Sequence, residues 1–293
     1  MRMKRERTLY ISDLDGTLLN SDKELSPYTR DTLNRLIADG LEFSAATART
    51  GASALKILSG LNINVPVILM NGVLIYDTGS EKYDKVEALS SGTAFRIAEI
   101  FEEYGVTGFM YAINGNKPVT FYESLERKAL KDFHDERVAR YYKNFERLES
   151  FKEGIPDNQI IYFTLMDEYE PLKRILEDFR SIEGLEAVLY RDIYSESGWF
   201  LELHSEKATK YNAVRYLRSR CGFDRVIGFG DNLNDIPLFR ACDECYAVSN
   251  AVPELKAAAT GVIGENTADG VARFIYEKVK GGHGQASGYA QPK

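Results

Sequence analysis

Four polar residues stand where hydrophobic runs end: Asp13 after Thr8–Ile11, Thr47 after Leu41–Ala46, Asn71 after Val67–Met70, and Asp231 after Arg225–Phe229. Each run has the length and residue content of a short buried strand. In an open parallel sheet, ligands sit beyond the carboxyl ends of the strands, so four converging ends say more than any one. The first end is the richest, reading Asp13-Leu14-Asp15-Gly16-Thr17. Two carboxylates separated by one residue point to the same side of an extended chain. Gly16 permits a sharp turn, and the Thr17 hydroxyl can bond locally. Carboxylates that close repel unless a cation or a shared proton relieves them. A hard cation taking oxygen ligands, Mg²⁺ foremost, answers that repulsion, with Asp231 reaching in from its own strand end. The same composition also makes a plain turn, and on residues alone both readings stand.

The elements that must position these residues alternate along the first and last thirds of the chain. Ser26-Pro27 starts a helix by cap and first-turn proline, Leu33, Leu36 and Ile37 form its apolar face, and Gly40 ends it. A second helix is expected over 53–58. The last third predicts helices over 210–220, with Ala213, Val214 and Leu217 inward, over 253–259 and over 269–279, with strands at 246–248 and 262–263. Repeated β-α-β units imply a doubly wound α/β fold with a parallel sheet and right-handed crossovers. The middle, 81–205, is rich in Tyr and Phe, with helices expected over 92–104 and 170–180 and a strand pair at 185–194 and 199–204. It reads as an α+β domain inserted into a core formed by 1–80 and 206–280. The Gly-rich stretch 281–293 reads as a flexible tail.

At about 150 residues per domain, 293 residues suggest one large domain or two ordinary ones. Lys and Arg total 37 against 44 Asp and Glu, giving a formal net charge of −7. That balance argues against broad nucleic-acid binding. It also poses a problem for any anionic ligand, which a locally held cation would solve. No apolar run approaches the roughly 18 residues needed to cross a bilayer. The basic start, Met1 to Arg7, lacks the apolar stretch of a secretory signal, because Leu9–Ile11 stops at Ser12-Asp13. Three cysteines form no disulfide framework, which points to a reduced, cytoplasmic home. Cys242 and Cys245 read as small hydrophobes on a helix and a strand rather than as half of a zinc site.

The pentad Asp13–Thr17, behind its hydrophobic strand, resembles the first motif of the haloacid dehalogenase-like (HAD) hydrolase superfamily. Thr47-Ala48-Arg49 resembles the second motif, with Ala48 in place of the usual glycine. Asn71-Gly72 resembles the Asn-Gly of the Cof-like branch. Lys210 looks like the third-motif lysine on its Lys-x-x-Ala spacing, with Lys207 the competing candidate. Gly230-Asp231-Asn232-Leu233-Asn234-Asp235 resembles the fourth motif, and Asn250-Ala251 and Asp269–Ala272 fit the branch's C-terminal pattern.

The resemblance implies a Rossmann-like core with an inserted α+β cap that closes over the strand edge. It implies a Mg²⁺-dependent phosphatase of small phosphorylated metabolites, sugar phosphates first, acting as monomer or homodimer without nucleic acid or membrane. Asp13 would be the nucleophile forming an aspartyl-phosphate, and Asp15 the general acid and base. Mg²⁺ would be held by the Asp13 side chain, the Asp15 carbonyl and Asp231, with Asn232 and Asp235 supporting. Leu14, Gly16, Thr47, Ala48, Arg49, Asn71, Gly72, Lys210 and Asn234 would contact phosphate or substrate. Thr47 as a turn cap, Arg49 as a surface ion pair and Asn71 as a turn former remain alternatives. A phosphosugar mutase and a weakly active phosphometabolite sensor are the competing functions. Asp15 argues against the sensor, since a carboxylate there serves hydrolysis of the intermediate. Among the middle-segment aromatics, Phe109, Tyr111, Tyr122, Tyr141, Tyr142 and Trp199 could stack on a substrate ring, although filling a core is the better reading for any single one.

Overall fold

The computed structural model describes residues 6–141, 144–191 and 198–281. The expected tail, apart from Gly281, and Tyr142 lie outside those residues. Gly281 itself closes the last helix, Gly270–Gly281. The chain divides into two compact units, one formed by Val73–Ile75 with Lys82–Thr209 and the other by the residues on either side.

The flanking residues build a parallel sheet of five strands, ordered Gly261–Ile263, Glu244–Val248, Arg225–Gly230, Thr8–Ser12 and Glu42–Ala45. Ala46 bridges in parallel to Ile68 of the strand Val67–Leu69. Thr8–Ser12, Glu42–Ala45 and Arg225–Gly230 are buried along nearly their whole length and mostly apolar, with Leu9, Ile11, Val226 and Phe229 fully enclosed. Thr8–Ser12 is the pivot: Glu42–Ala45 lies on one side and Arg225–Gly230, from the far end of the sequence, on the other. The direction of winding reverses there, which opens a crevice at the carboxyl ends of these two neighbours. Asp13 follows one and Asp231 the other.

The helices start as the sequence predicts. Ser26 caps Pro27–Ala38 by accepting from the Thr29 N–H at 2.9 Å, and Leu33, Leu36 and Ile37 are buried. Packing of Gly270–Gly281 against this helix is reinforced by Asp269, whose Oδ1 accepts from the hydroxyls of Ser26 and Thr29. Asp269 and Gly270 of the C-terminal pattern are therefore structural. A Cβ at Gly270 would lie 1.9 Å from the Gly264 carbonyl oxygen. Cys242 ends a helix and Cys245 is buried on a strand, and both thiols are free.

The inserted unit is a six-stranded mixed sheet, with helices Ser91–Tyr104, Phe151–Gly154 and Tyr169–Arg180 on one face. Phe101, Phe151, Phe163 and Phe179 form an edge-to-face cluster beneath them. The strand pair expected from 185 is Leu185–Arg191 antiparallel to Trp199–Ser205. Phe109 and Tyr111 are core residues, and Trp199 packs on Tyr169 and against the buried cluster. No helix among the described residues is long and apolar enough to cross a membrane.

Phe163 touches both Phe101 and Phe151 with ring centroids at 5.7 and 6.0 Å. Phe163→Ala is expected to destabilise the inserted unit by about 3–5 kcal/mol, read by denaturant unfolding followed through a probe within that unit.

Candidate active site

The backbone after the first strand is fixed by a turn that only glycine suits. Asp13 is still extended, its N–H donating to the Phe229 carbonyl at 3.0 Å. Gly16 then takes φ +74°, and a Cβ there would lie 2.4 Å from Asp231 Oδ2. Leu14 is wholly buried and anchors the turn in the core, so only its backbone faces the crevice. Thr17 donates to Asp231 Oδ1 at 3.0 Å, which ties the first motif to the fourth. Asn250 supports the turn from behind by donating to the Gly16 carbonyl at 2.8 Å, and its own oxygen accepts from the Asn266 N–H.

Carboxylate oxygens of Asp13, Asp231 and Asp235 lie within 4.8 Å of one another. Lys210, 1% exposed, donates from Nζ to Asp13 Oδ1 at 2.6 Å and to Asp235 Oδ1 at 2.7 Å. Lys207 is exposed, so Lys210 is the lysine of this cluster. Asp235 is saturated, because its Oδ2 also accepts the backbone N–H groups of Asp231 and Asn232 at 3.0 and 3.2 Å. Among the described residues, no protein donor reaches Asp13 Oδ2 or Asp231 Oδ2. The donor set is all oxygen, and three carboxylates with one ammonium leave two formal negative charges. That chemistry fits a hard divalent cation.

The remaining candidates make other contacts. The Asp15 carboxylate does not join Asp13. Leu14, between them, starts the helical turn Leu14–Leu18, which breaks the extended alternation, and both Asp15 oxygens are taken by Arg49, through Nε at 2.6 Å and a terminal nitrogen at 2.5 Å. Arg49 also donates to Ser53 Oγ at 2.9 Å, so it is an ion-pair partner within the site. The Asn232 side chain accepts from the Leu233 N–H at 2.8 Å, capping a short turn, and contributes no ligand to the cluster. Asn234 and Ala48 are exposed and outside it. Thr47 is buried and its Oγ1 accepts from the Arg49 N–H at 3.1 Å, which is the capping role. Met70, Asn71 and Gly72 all have positive φ, at 51°, 54° and 110°. Two consecutive left-handed non-glycine residues mark a strained loop, and the buried Asn71 Oδ1 has no partner.

Burial is the largest influence on Asp13 and pushes its carboxyl upward; Lys210 pulls it down, while Asp235 and Asp231 add to the rise. Asp231 is pushed up to about 6, mainly by burial, with Thr17 opposing and Asp235 reinforcing. Burial alone would lower Lys210, but the facing Asp13 and Asp235 outweigh it and the net direction is upward. The cluster therefore competes for protons when no cation is bound.

The sequence profile of the haloacid dehalogenase-like hydrolases matches residues 10–275. A putative phosphatase of Haemophilus influenzae is 28% identical over 275 residues, covering 91% of this chain and 96% of that protein. The pyridoxal phosphate phosphatase YbhA of Escherichia coli is 25% identical over 272 residues, with coverage of 90% and 96%. Among solved structures, a haloacid dehalogenase-like hydrolase from Bacteroides thetaiotaomicron superposes with a TM-score of 0.75 at 21% identity, covering 94% of this chain and all of that one. A sugar phosphatase of subclass IIB superposes at 0.67 with 22% identity, covering 94% and 99%. These two likenesses bear on the fold.

Two stability predictions follow from the charges. Lys210→Met strips a buried ammonium from Asp13 and Asp235 and is expected to cost about 3–5 kcal/mol, with Lys207→Ala within about 0.5, by urea denaturation. The second concerns pH. Because folded Asp231 keeps its proton up to about 6, the folded state binds more protons than the unfolded state between the ordinary carboxylate value and 6. Stability from this group therefore falls as pH rises through that window. Metal-free Asp231→Asn should gain on wild type by about 1–2 kcal/mol between pH 4 and pH 7, a figure discounted for partial exposure. A constant difference across that range would contradict the assignment.

Proposed function

The chain belongs to the haloacid dehalogenase-like hydrolase family and is a phosphatase, and on that premise we propose that it hydrolyses small phosphorylated metabolites, sugar phosphates first, with Mg²⁺ and through an aspartyl-phosphate at Asp13. The observation that carries this reading is a buried carboxylate at the switch point whose Oδ1 is held by Lys210 while Oδ2 is left without a protein donor. An oriented carboxylate with one open oxygen is a poised nucleophile.

Asp13 Oδ2 attacks phosphorus as the ester P–O bond breaks, and protonated Asp15 gives its proton to the leaving oxygen. Asp15 then takes a proton from a water whose oxygen attacks phosphorus, so that the Asp13–phosphorus bond breaks and phosphate leaves. Both proton transfers require Asp15 to leave the Arg49 fork, since Arg49 occupies both its oxygens. Released, that guanidinium is a planar donor matched to phosphoryl oxygens. Lys210 spends two N–H bonds on Asp13 and Asp235 and keeps a third for the phosphoryl group. The Asp13 carboxylate and the open oxygen of Asp231 would hold the cation, with Asp13 Oδ2 left for the attack and Asp235 fixing the backbone and lysine around them. When bound, the cation supplies charge that offsets the phosphoryl oxygens. The Asn71 carboxamide, unpartnered and at a strand end, is offered to the substrate side.

The test is phosphate release from sugar phosphates, nucleoside monophosphates and pyridoxal phosphate, with Mg²⁺ and with chelator. Metal-dependent release is expected, and Asp13→Asn should lower it by about 10³-fold or more while leaving the fold intact. Lys210→Ala should lose far more activity than Lys207→Ala. Wild-type rates in Asp13→Asn, or release indifferent to chelator, would refute the mechanism.

A further inference from the structure

The helix that presents Lys210 inward presents a basic stripe outward. Tyr211, Arg215 and Arg218, spaced four and three residues apart on Lys210–Cys221, share one face. They line a cavity of about 770 Å³ together with Phe223 and with Arg240 from the end of the helix Ile236–Ala241. That volume accommodates a small organic ligand.

The charges in the cavity are unevenly satisfied. Asp243 is committed to the Val226 N–H at 2.8 Å and to Arg218 at 3.1 Å. Asp224 accepts from the Arg7 N–H at 2.9 Å. Among the described residues, Arg215 meets the Tyr211 hydroxyl, at 3.2 Å, and lies against that ring, with no carboxylate partner. Arg240 has no carboxylate partner among the described residues. Arg218 and Arg240 occupy last turns, where a cation suits the negative end of a helix, but Arg215 stands mid-helix and has no such role. Two guanidinium forks without acidic partners, opening on one cavity in a chain of net charge −7, form a local anion site.

We propose that this cavity is a second ligand site, separate from the acidic cluster, that binds a nucleoside diphosphate or triphosphate. Arg215 and Arg240 engage successive phosphates as bidentate donors, and the Tyr211 or Phe223 ring meets the base.

The test is calorimetric titration of metal-free, full-length protein with ADP, AMP and inorganic phosphate at 50 and 200 mM salt. ADP is expected to bind saturably and at least about tenfold more tightly than phosphate, and to weaken with salt. The double variant Arg215→Ala/Arg240→Ala should lose about tenfold or more in ADP affinity, and Arg240→Glu alone should lose nearly as much. Both should keep wild-type melting temperature and wild-type hydrolysis of the best ester substrate. Asp13→Asn, altered in the acidic cluster, should bind ADP as wild type does. Absence of saturable ADP binding, equal affinity in the arginine variants, or loss of binding in Asp13→Asn would overturn the proposal.

Discussion

A buried ammonium clasped by two buried carboxylates is the constraint on which the core depends. Lys210 opens a helix, Asp13 ends the first strand, and Asp235 sits in a one-turn helix behind a late strand, so the clasp joins segments nearly two hundred residues apart. Taking such ions out of water costs several kcal/mol each, and attraction offsets this only where the remaining lone pairs are also satisfied. Asp235 meets that condition with Lys210 and two backbone donors. Asp13 meets it on one oxygen only. The oxygen without a protein donor is thus found on Asp13, the proposed nucleophile, while the saturated Asp235 holds the frame.

Close approach demands an equally exacting backbone. The carboxylates converge because Gly16 and Gly230 leave them room: a Cβ on the first would strike Asp231, and one on the second would lie 2.7 Å from the Asp235 Cβ. The turn that follows is held from outside by Asn250 and Asn266, which bond to the carbonyls of Gly16 and Leu19. Residues late in the sequence, with no chemistry of their own, thereby fix the geometry of the first motif.

Most of the core was legible because each strand is an apolar run that stops at a polar residue, which marks both the element and its carboxyl end. Lys210 was legible from its resemblance to the third-motif lysine on the Lys-x-x-Ala spacing, and it is buried on one helix with Ala213, Val214 and Leu217. The Asp15–Arg49 pair was not. Strict alternation puts Asp15 beside Asp13, and the departure arises because Leu14 between them starts a helical turn, together with a partner 34 residues away. Nor was the helix Lys128–Tyr141 foreseen, because its sequence, KALKDFHDERVARY, carries charge on nearly every side and has no sustained apolar stripe. In both cases the deciding interaction is tertiary and leaves no local pattern.

The acidic character of the whole chain does not set the sign of this site. Arg49 neutralises Asp15 outright, and Lys210 neutralises one of the three clustered carboxylates, which leaves two formal negative charges in the cluster. The upward shifts of Asp13 and Asp231 come first from burial, and the neighbouring carboxylates add to them. A divalent cation would replace two protons at once, and with a second carboxylate sharing it the oxygen proposed to attack would stay open. Asp231 is placed for that sharing, with Thr17 holding one oxygen and the other left open. On that proposal the excess of acidic residues here collects positive charge, and an anionic substrate would meet the cation rather than the carboxylates holding it.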